Sequence, residues 1–182
     1  MTNHGVAELN IECLDKLVFE SLQEQTVSAV VLALGSNHNA DYHLSQVRSS
    51  LAALGEMQLS TAFENPDFTA TLQQPKPAYT NQGVYLALKE NMTLGQLQQI
   101  FRQLEEQCGR LRSVKTEAKT EAKIDQTRFT PVSMDIDTLL VALDKKNSLS
   151  DNNRWIIVAE RYPFKEHEIS SLQELCSMRN KQ

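Results

Sequence analysis

Short β-branched apolar runs alternate with amphipathic helical stretches in the order β-α-β-β-α-β. That order predicts an α+β chain with a ferredoxin-like antiparallel sheet, helices packed on one face, and extra N- and C-terminal elements. Three observations carry the prediction. The runs at 27–34 and 130–141 have the composition of central strands. The stretches at 41–54 and 94–108 place apolar residues three and four apart, as a helix with one buried face requires. Between those helices lie two strand patterns, 57–63 and 79–88, with no helix separating them.

Residues 1–26 stand outside this core. Leu9, Ile11, Leu14, Leu17, Val18 and Leu22 fall near helical spacing, which predicts a helix within 9–25. The chain then divides into an N-terminal helical extension, 1–26, and a main domain, 27–182.

The first core strand, VSAVVLAL, ends in Gly35-Ser36-Asn37, a turn composition. A strand running into such a turn and then a helix can bind an anion at the helix N-terminus, and can equally be a plain turn. The GxxxxGK[ST] pattern of a P-loop is absent. The helix at 41–54 has Leu44, Val47, Leu51 and Leu54 as its stripe and Gly55 as its stop. Residues 57–63 alternate as a strand does. Residues 64–77 form a loop broken by Pro66, Pro75 and Pro77, and a loop of this length is commonly functional.

At 79–88 a strand would put Tyr79, Asn81 and Gly83 on one face and Val84, Leu86 and Leu88 on the other. An Asn amide can hydrogen-bond the edge of a planar heterocycle, and a Tyr can line its pocket. A solvent-facing strand would present the same residues. Thr93 is a good N-cap for the helix 94–108, whose stripe is Leu94, Leu97, Ile100, Phe101 and Leu104, and Gly109 ends it. Arg110 and Arg112 follow. The tandem repeat Thr116-Glu117-Ala118-Lys119 and Thr120-Glu121-Ala122-Lys123 has few apolar anchors and predicts an exposed, mobile segment. Residues 144–153 read as a polar turn, 155–158 as a short strand, and 166–178 as a last helix buried along Ile169, Leu172 and Leu175. His167 reads as a surface residue.

The strand at 130–141 carries Asp135 and Asp137 two positions apart, on one face. Two like charges side by side repel, and burying them unpaired is costly. A Mg²⁺ ion, a Lys or Arg partner, or exposure at a strand end would each satisfy them.

Net charge is -5 and the pI about 5.4, which argues against a general nucleic-acid binder but leaves room for a small anionic substrate at a local basic cluster. Cys13, Cys108 and Cys176 are odd in number, widely spaced and without metal-ligand spacing, so reduced thiols are expected. Residues 1–10 lack the apolar region of a secretory signal, and no apolar run reaches membrane-spanning length. The expected location is the cytoplasm, with no membrane or nucleic-acid partner.

Four blocks in order carry a resemblance. Ala33-Leu34-Gly35-Ser36-Asn37, Pro77-Ala78-Tyr79-Thr80-Asn81, Glu105-Glu106-Gln107-Cys108-Gly109-Arg110-Leu111-Arg112 and Met134-Asp135-Ile136-Asp137-Thr138-Leu139-Leu140 together resemble the 6-hydroxymethyl-7,8-dihydropterin pyrophosphokinase family of folate synthesis, over about 27–141. The resemblance implies transfer of pyrophosphate from ATP to the hydroxymethyl oxygen of a dihydropterin, with release of AMP. It implies Mg²⁺ held by Asp135 and Asp137, with Arg110 and Arg128 also catalytic. It implies that Asn81 reads the pterin edge, that Tyr79 helps form its pocket, and that Pro66 marks a loop whose backbone contacts it. Glu105, Arg112 and Phe129 would lie by the nucleotide, and 110–129 would close over ATP as a lid.

The chain departs from the family in three places. The family reads Arg-Trp-Gly-Pro-Arg-Thr-Leu-Asp-Leu-Asp where this chain has Arg128-Phe129-Thr130-Pro131-Val132-Ser133-Met134-Asp135-Ile136-Asp137, so Val132 replaces the second arginine. The loop between Arg112 and Arg128 is longer than usual. The family has a Val-Pro-His segment and a later arginine that help hold the nucleotide; the nearest match here is Val158-Ala159-Glu160, which places an acid where a phosphate neighbour is expected. The sequence therefore supports an active pyrophosphokinase, with Lys115, Lys119 or Lys123 in place of the lost arginine. It also supports a degenerate relative that binds pterin or nucleotide without turnover. An unrelated interaction domain with structural aspartates is a third reading.

Overall fold

The computed structural model describes residues 11–67, 70–110, 131–144 and 154–179. Arg112, Arg128, Phe129 and the tandem repeat lie outside the described residues. Among the described residues the fold is α+β, with four α-helices and a mixed seven-stranded sheet, larger than the five strands the sequence pattern predicts.

In chain order the elements are β1 (Asp15–Leu17), α1 (Phe19–Leu22), β2 (Thr26–Ser36), α2 (Ala40–Leu54), β3 (Gly55–Leu59), β4 (Phe63–Asn65), β5 (Tyr79–Thr93), α3 (Leu94–Gln107), β6 (Asp135–Leu143), β7 (Arg154–Val158) and α4 (Glu166–Arg179). The sheet runs β1-β7-β6-β2-β5-β3, and β4 also pairs with β5. All pairs are antiparallel except β1 with β7.

β2 lies between β6 and β5 and is buried on both faces. Its side chains alternate as a pleated strand dictates. Val30, Leu32 and Leu34 join Leu44, Val47 and Leu51 of α2 and Leu97, Phe101 and Leu104 of α3 in one apolar cluster. Ala29 and Val31 belong to a second cluster on the opposite face, with Tyr85, Trp155, Phe164, Leu172 and Leu175. α3 begins at a capping box: Thr93 Oγ1 accepts from the Gln96 N–H, and Gln96 Oε1 accepts from the Thr93 N–H.

Four expectations are corrected. No single helix spans the described part of 9–25, which holds a 3₁₀ turn (Ile11–Cys13), β1 and α1. The free edge of β7 offers unpaired backbone groups that a helix there would not satisfy, and β1 pairs with them. Helices do not lie on one face only, because α4 covers the face opposite α2 and α3. Ile169 is 39% exposed, and Glu168 and Ser171 take buried places beside Leu172. The strand expected at 57–63 is broken into β3 and β4. Ser60 causes the break: its N–H donates to Gly83 O, and its Oγ accepts from the Gly83 N–H, replacing a regular ladder step.

α4 is clamped onto that break. Ser60 Oγ donates to Ser171 Oγ at 3.3 Å, and Thr61 donates through N–H and Oγ1 to Glu174. A Cβ on Gly83 would stand 2.6 Å from Ser171 Cβ, so only glycine lets the helix approach this closely. Gly83→Ala is therefore expected to destabilise the protein by about 1–3 kcal/mol in chemical denaturation, as overpacking does. In a Ser171→Gly background, which lacks the opposing Cβ, Gly83→Ala should cost markedly less than it does in wild type. A Gly83→Ala variant as stable as wild type would contradict this packing.

Candidate functional site

The register of the three central strands builds the site. Gly35 on β2 is paired with Asn81 on β5 and with Asp135 on β6. One step along, Ala33 is paired with Gly83 and Asp137. β4 pairs with the other side of β5, opposing Phe63 to Asn81 and Asn65 to Tyr79. Residues directly opposite across a sheet share a face, so separate sequence blocks present Tyr79, Asn81, Asp135 and Asp137 to one side. That side is the one on which α4 packs.

These residues line a cavity of about 270 Å³, together with Asn65 and Pro66 at the end of β4 and Lys165, His167 and Glu168 at the start of α4. Ala33 and Gly35 form part of its floor. A Cβ on Gly35 would lie 3.1 Å from Asn81 Oδ1, so the glycine gives the amide its space. The Nδ2 atom of Asn65 is buried with no hydrogen-bond partner, a donor left uncommitted at the cavity. Burial, and then Asp67, push the Tyr79 phenol above its ordinary range, so it remains a donor near neutral pH.

Each aspartate faces an arginine. Arg110, just past α3, has Nη2 3.9 Å from Asp135 Oδ1. Arg161, at the end of the 3₁₀ turn Ala159–Arg161, has Nη2 3.0 Å from Asp137 Oδ2 and 2.6 Å from Oε1 of the buried Glu168. One guanidinium thus serves two acids. Burial above all, then Asp135, push Asp137 up to about 6, Arg161 notwithstanding. Asp135 and Asp137 are the pair that could hold a cation. Among the described residues, no group of three His, Cys, Asp or Glu could hold a metal by protein ligands alone.

Glu105 sits elsewhere. Buried on α3, its Oε1 accepts from the Ile136 N–H at 2.9 Å and ties the helix to the start of β6. It lines a second cavity of about 200 Å³ with Gln98, Arg102 and Thr138. Asp137 lines both cavities, and Arg161 lines the second. The Gly35-Ser36-Asn37 turn is a clasp: Asn37 Oδ1 accepts from the Val132 N–H at 2.7 Å, and Val132 O accepts from the Asn37 N–H and from Ser36 Oγ. These bonds hold the approach to β6, while Asn37 Nδ2, among the described residues, is buried without a partner.

Sequence spacing alone missed Asn65, Arg161, Lys165 and His167. His167, expected at the surface, is half-buried against the cavity, and burial pushes its imidazole down toward the neutral form. Arg161 directly follows Val158-Ala159-Glu160, but nothing in its own neighbourhood signals that it folds back to Asp137. Among the described residues no helix is long and apolar enough to cross a membrane. The chain matches no protein-family model and no curated protein.

The Asp137 shift gives a sign. Its folded-state value, about 6, exceeds the ordinary 3.8, so the folded chain holds that proton more tightly than the unfolded chain. The associated stability is present below about pH 4 and is lost as pH rises through 6. Asp137→Asn should therefore stabilise the protein on the order of 2 kcal/mol at about pH 7.5, after allowing for partial solvent screening, with little gain near pH 4. Paired denaturation curves at the two pH values measure this. A clear loss of stability at pH 7.5 would mark Asp137–Arg161 as a structural pair.

Proposed function

We propose that the chain is a divergent pyrophosphokinase that transfers pyrophosphate from ATP to 6-hydroxymethyl-7,8-dihydropterin. The observation that carries this reading is the first cavity. It joins a heterocycle-reading set, Tyr79, Asn81 and Pro66, to the paired carboxylates Asp135 and Asp137. The strand order β6-β2-β5-β3, with α2 and α3 on one face, supports a ferredoxin-like core extended by β7 and β1 at one edge and by α4 on the other face. Three free cysteines accord with a cytoplasmic setting.

In this reading the pterin lies in the first cavity, with Asn81 and Asn65 offering amides to its polar edge and Tyr79 offering its phenol. ATP takes the second cavity, beside Glu105 and Arg102. Asp137, on the wall of both, marks where the hydroxymethyl group meets the phosphates. The donor set fits Mg²⁺: two hard carboxylates share one face, and Asp137 remains short of positive charge. Mg²⁺ there would neutralise phosphate charge on entering and leaving oxygens. The hydroxymethyl oxygen forms a bond to the β-phosphorus, the bond from that phosphorus to the oxygen bridging the α-phosphorus breaks, and AMP leaves with the oxygen. The hydroxyl proton passes to solvent. The chain's share of the work is alignment and charge placement.

Val132 favours one second reading, a protein that binds pterin or nucleotide without turnover. The same assay separates the two. Purified protein with MgATP is expected to release AMP only when the dihydropterin is present. Asp135→Ala and Asp137→Ala should each cut kcat by at least about a hundredfold without loss of fold. Asn81→Ala should raise the pterin KM by about tenfold, the loss of one buried hydrogen bond. Saturable pterin binding with no AMP release would select the second reading. Binding of neither ligand would remove both.

A further inference from the structure

The N-terminal strand and the turn after β7 hold one another beside the second cavity. β1 pairs in parallel with the end of β7, Asp15 opposite Ile156 and Leu17 opposite Val158. Its three side chains are exposed, so β1 adds nothing to the core. The contacts that follow reach the turn itself. The Phe19 N–H donates to Glu160 Oε1 at 2.9 Å, and Lys16 Nζ stands 4.1 Å from the centroid of the Tyr162 ring. Residues 15–19 thus grip both neighbours of Arg161, which meets Asp137.

The hold is uneven along the chain. Beyond Phe19 the segment is firmly anchored. Leu22 is 1% exposed, Gln23 O accepts from the Gly95 N–H, and Gln25 O accepts from the Leu94 N–H. Before Phe19 the holds are the edge pairing, a surface ion pair from Asp15 to Arg154, and the partly buried Ile11 and Leu14. Surface ion pairs contribute little, and segments with few buried apolar contacts open well short of global unfolding.

Phe19 and Glu160 both line the second cavity. Three acids stand on that wall, and each has a donor. Glu105 takes the Ile136 N–H, Asp137 meets Arg161, and Glu160 takes the Phe19 N–H. The first two donors belong to the main domain, and the third arrives with the N-terminal segment. When that segment opens, the wall loses the Phe19 ring and Glu160 loses that donor. Both changes disfavour an anionic ligand carrying a planar ring.

We propose that residues 11–19 are a strap that closes the second cavity, latched by the bond from Phe19 N–H to Glu160, and that a nucleotide in the cavity and the docked strap stabilise one another. The strap lies outside the 27–141 stretch that carries the family resemblance. The proposal rests on the transfer reading above for the identity of the ligand. A ligand that touches the docked form alone shifts the population toward it, and the effect is reciprocal.

Amide hydrogen exchange of the full chain, read residue by residue by NMR, tests both halves. In the free protein the slowest amides of β1 should exchange faster than those of β2 and β6. With α,β-methylene-ATP in Mg²⁺ at ten times its Kd, β1 exchange should slow about tenfold, as binding to the docked form alone requires. The latch is read from two variants. Phe19→Ala and Phe19→Pro both lose the ring, but only proline loses the N–H, and proline suits the first position of α1. β1 should exchange about fivefold faster in Phe19→Pro than in Phe19→Ala. Unchanged core amides of β2 and β6 show that each variant is folded, and the ligand arm needs no variant. Equal β1 exchange in the two variants would overturn the latch. Unchanged or faster β1 exchange with the analogue bound would overturn the strap while the transfer reading stood. A calorimetric titration showing that the analogue does not bind would overturn the coupling together with the nucleotide half of that reading, and pterin titration would then judge the first cavity.

Discussion

The antiparallel register of β2 with both neighbours is the constraint on which everything else rests. It sets Gly35 between Asn81 and Asp135, and Ala33 between Gly83 and Asp137. A slip of one residue on either side would turn an amide or both carboxylates toward α2 and α3 and bury them among leucines. The apolar alternation on β2 forbids that slip, because Val30, Leu32 and Leu34 are committed to the helical cluster. Core packing therefore fixes the polar site. The small residues of that row matter as much as the polar ones: Gly35 gives Asn81 its space, and Gly83 lets α4 come close enough to form the opposite wall.

That wall changes the electrostatics. Asp135, Asp137 and Glu168 face Arg110, Arg161 and Lys165, a near balance in number but not in placement. Arg110 stays 3.9 Å from Asp135, while Arg161 divides itself between Asp137 and Glu168. Burial and the neighbouring acid outweigh half an arginine, and Asp137 is left at about 6. A pair retained only for stability would be expected to favour ionisation of its acid. An acid held in this condition fits a site arranged for a ligand or cation that completes it. The orphaned donors on Asn65 and Arg161 are consistent with that account.

Much of this was legible in the sequence, and the reasons are physical. Strand periodicity gave the shared face of Tyr79, Asn81 and Gly83 and that of the two aspartates, because a period of two leaves little choice. Helical stripes and caps gave α2 and α3, and Thr93 forms the capping box its position suggests. What stayed hidden depended on contacts distant in sequence. The β1 strand exists because the edge of β7 needs a partner, and three residues carry no pattern of their own. The buried side of α4 includes Glu168 and Ser171, which hydropathy assigns to solvent, because Ser171 meets Ser60 from just past the end of β3 and Glu168 meets Arg161 from the turn before the helix. Ser60 breaks a strand that alternation alone would continue.

We propose that the row across β4, β5, β2 and β6 makes a pterin pocket coupled to a phosphate-bearing ligand beside it. The most direct test is titration of 6-hydroxymethylpterin into the full chain in Mg²⁺, with and without α,β-methylene-ATP, followed by calorimetry. Saturable one-to-one binding is expected, tightening when the nucleotide analogue is present, with the reciprocal tightening of the analogue by pterin. No pterin binding under either condition would contradict it.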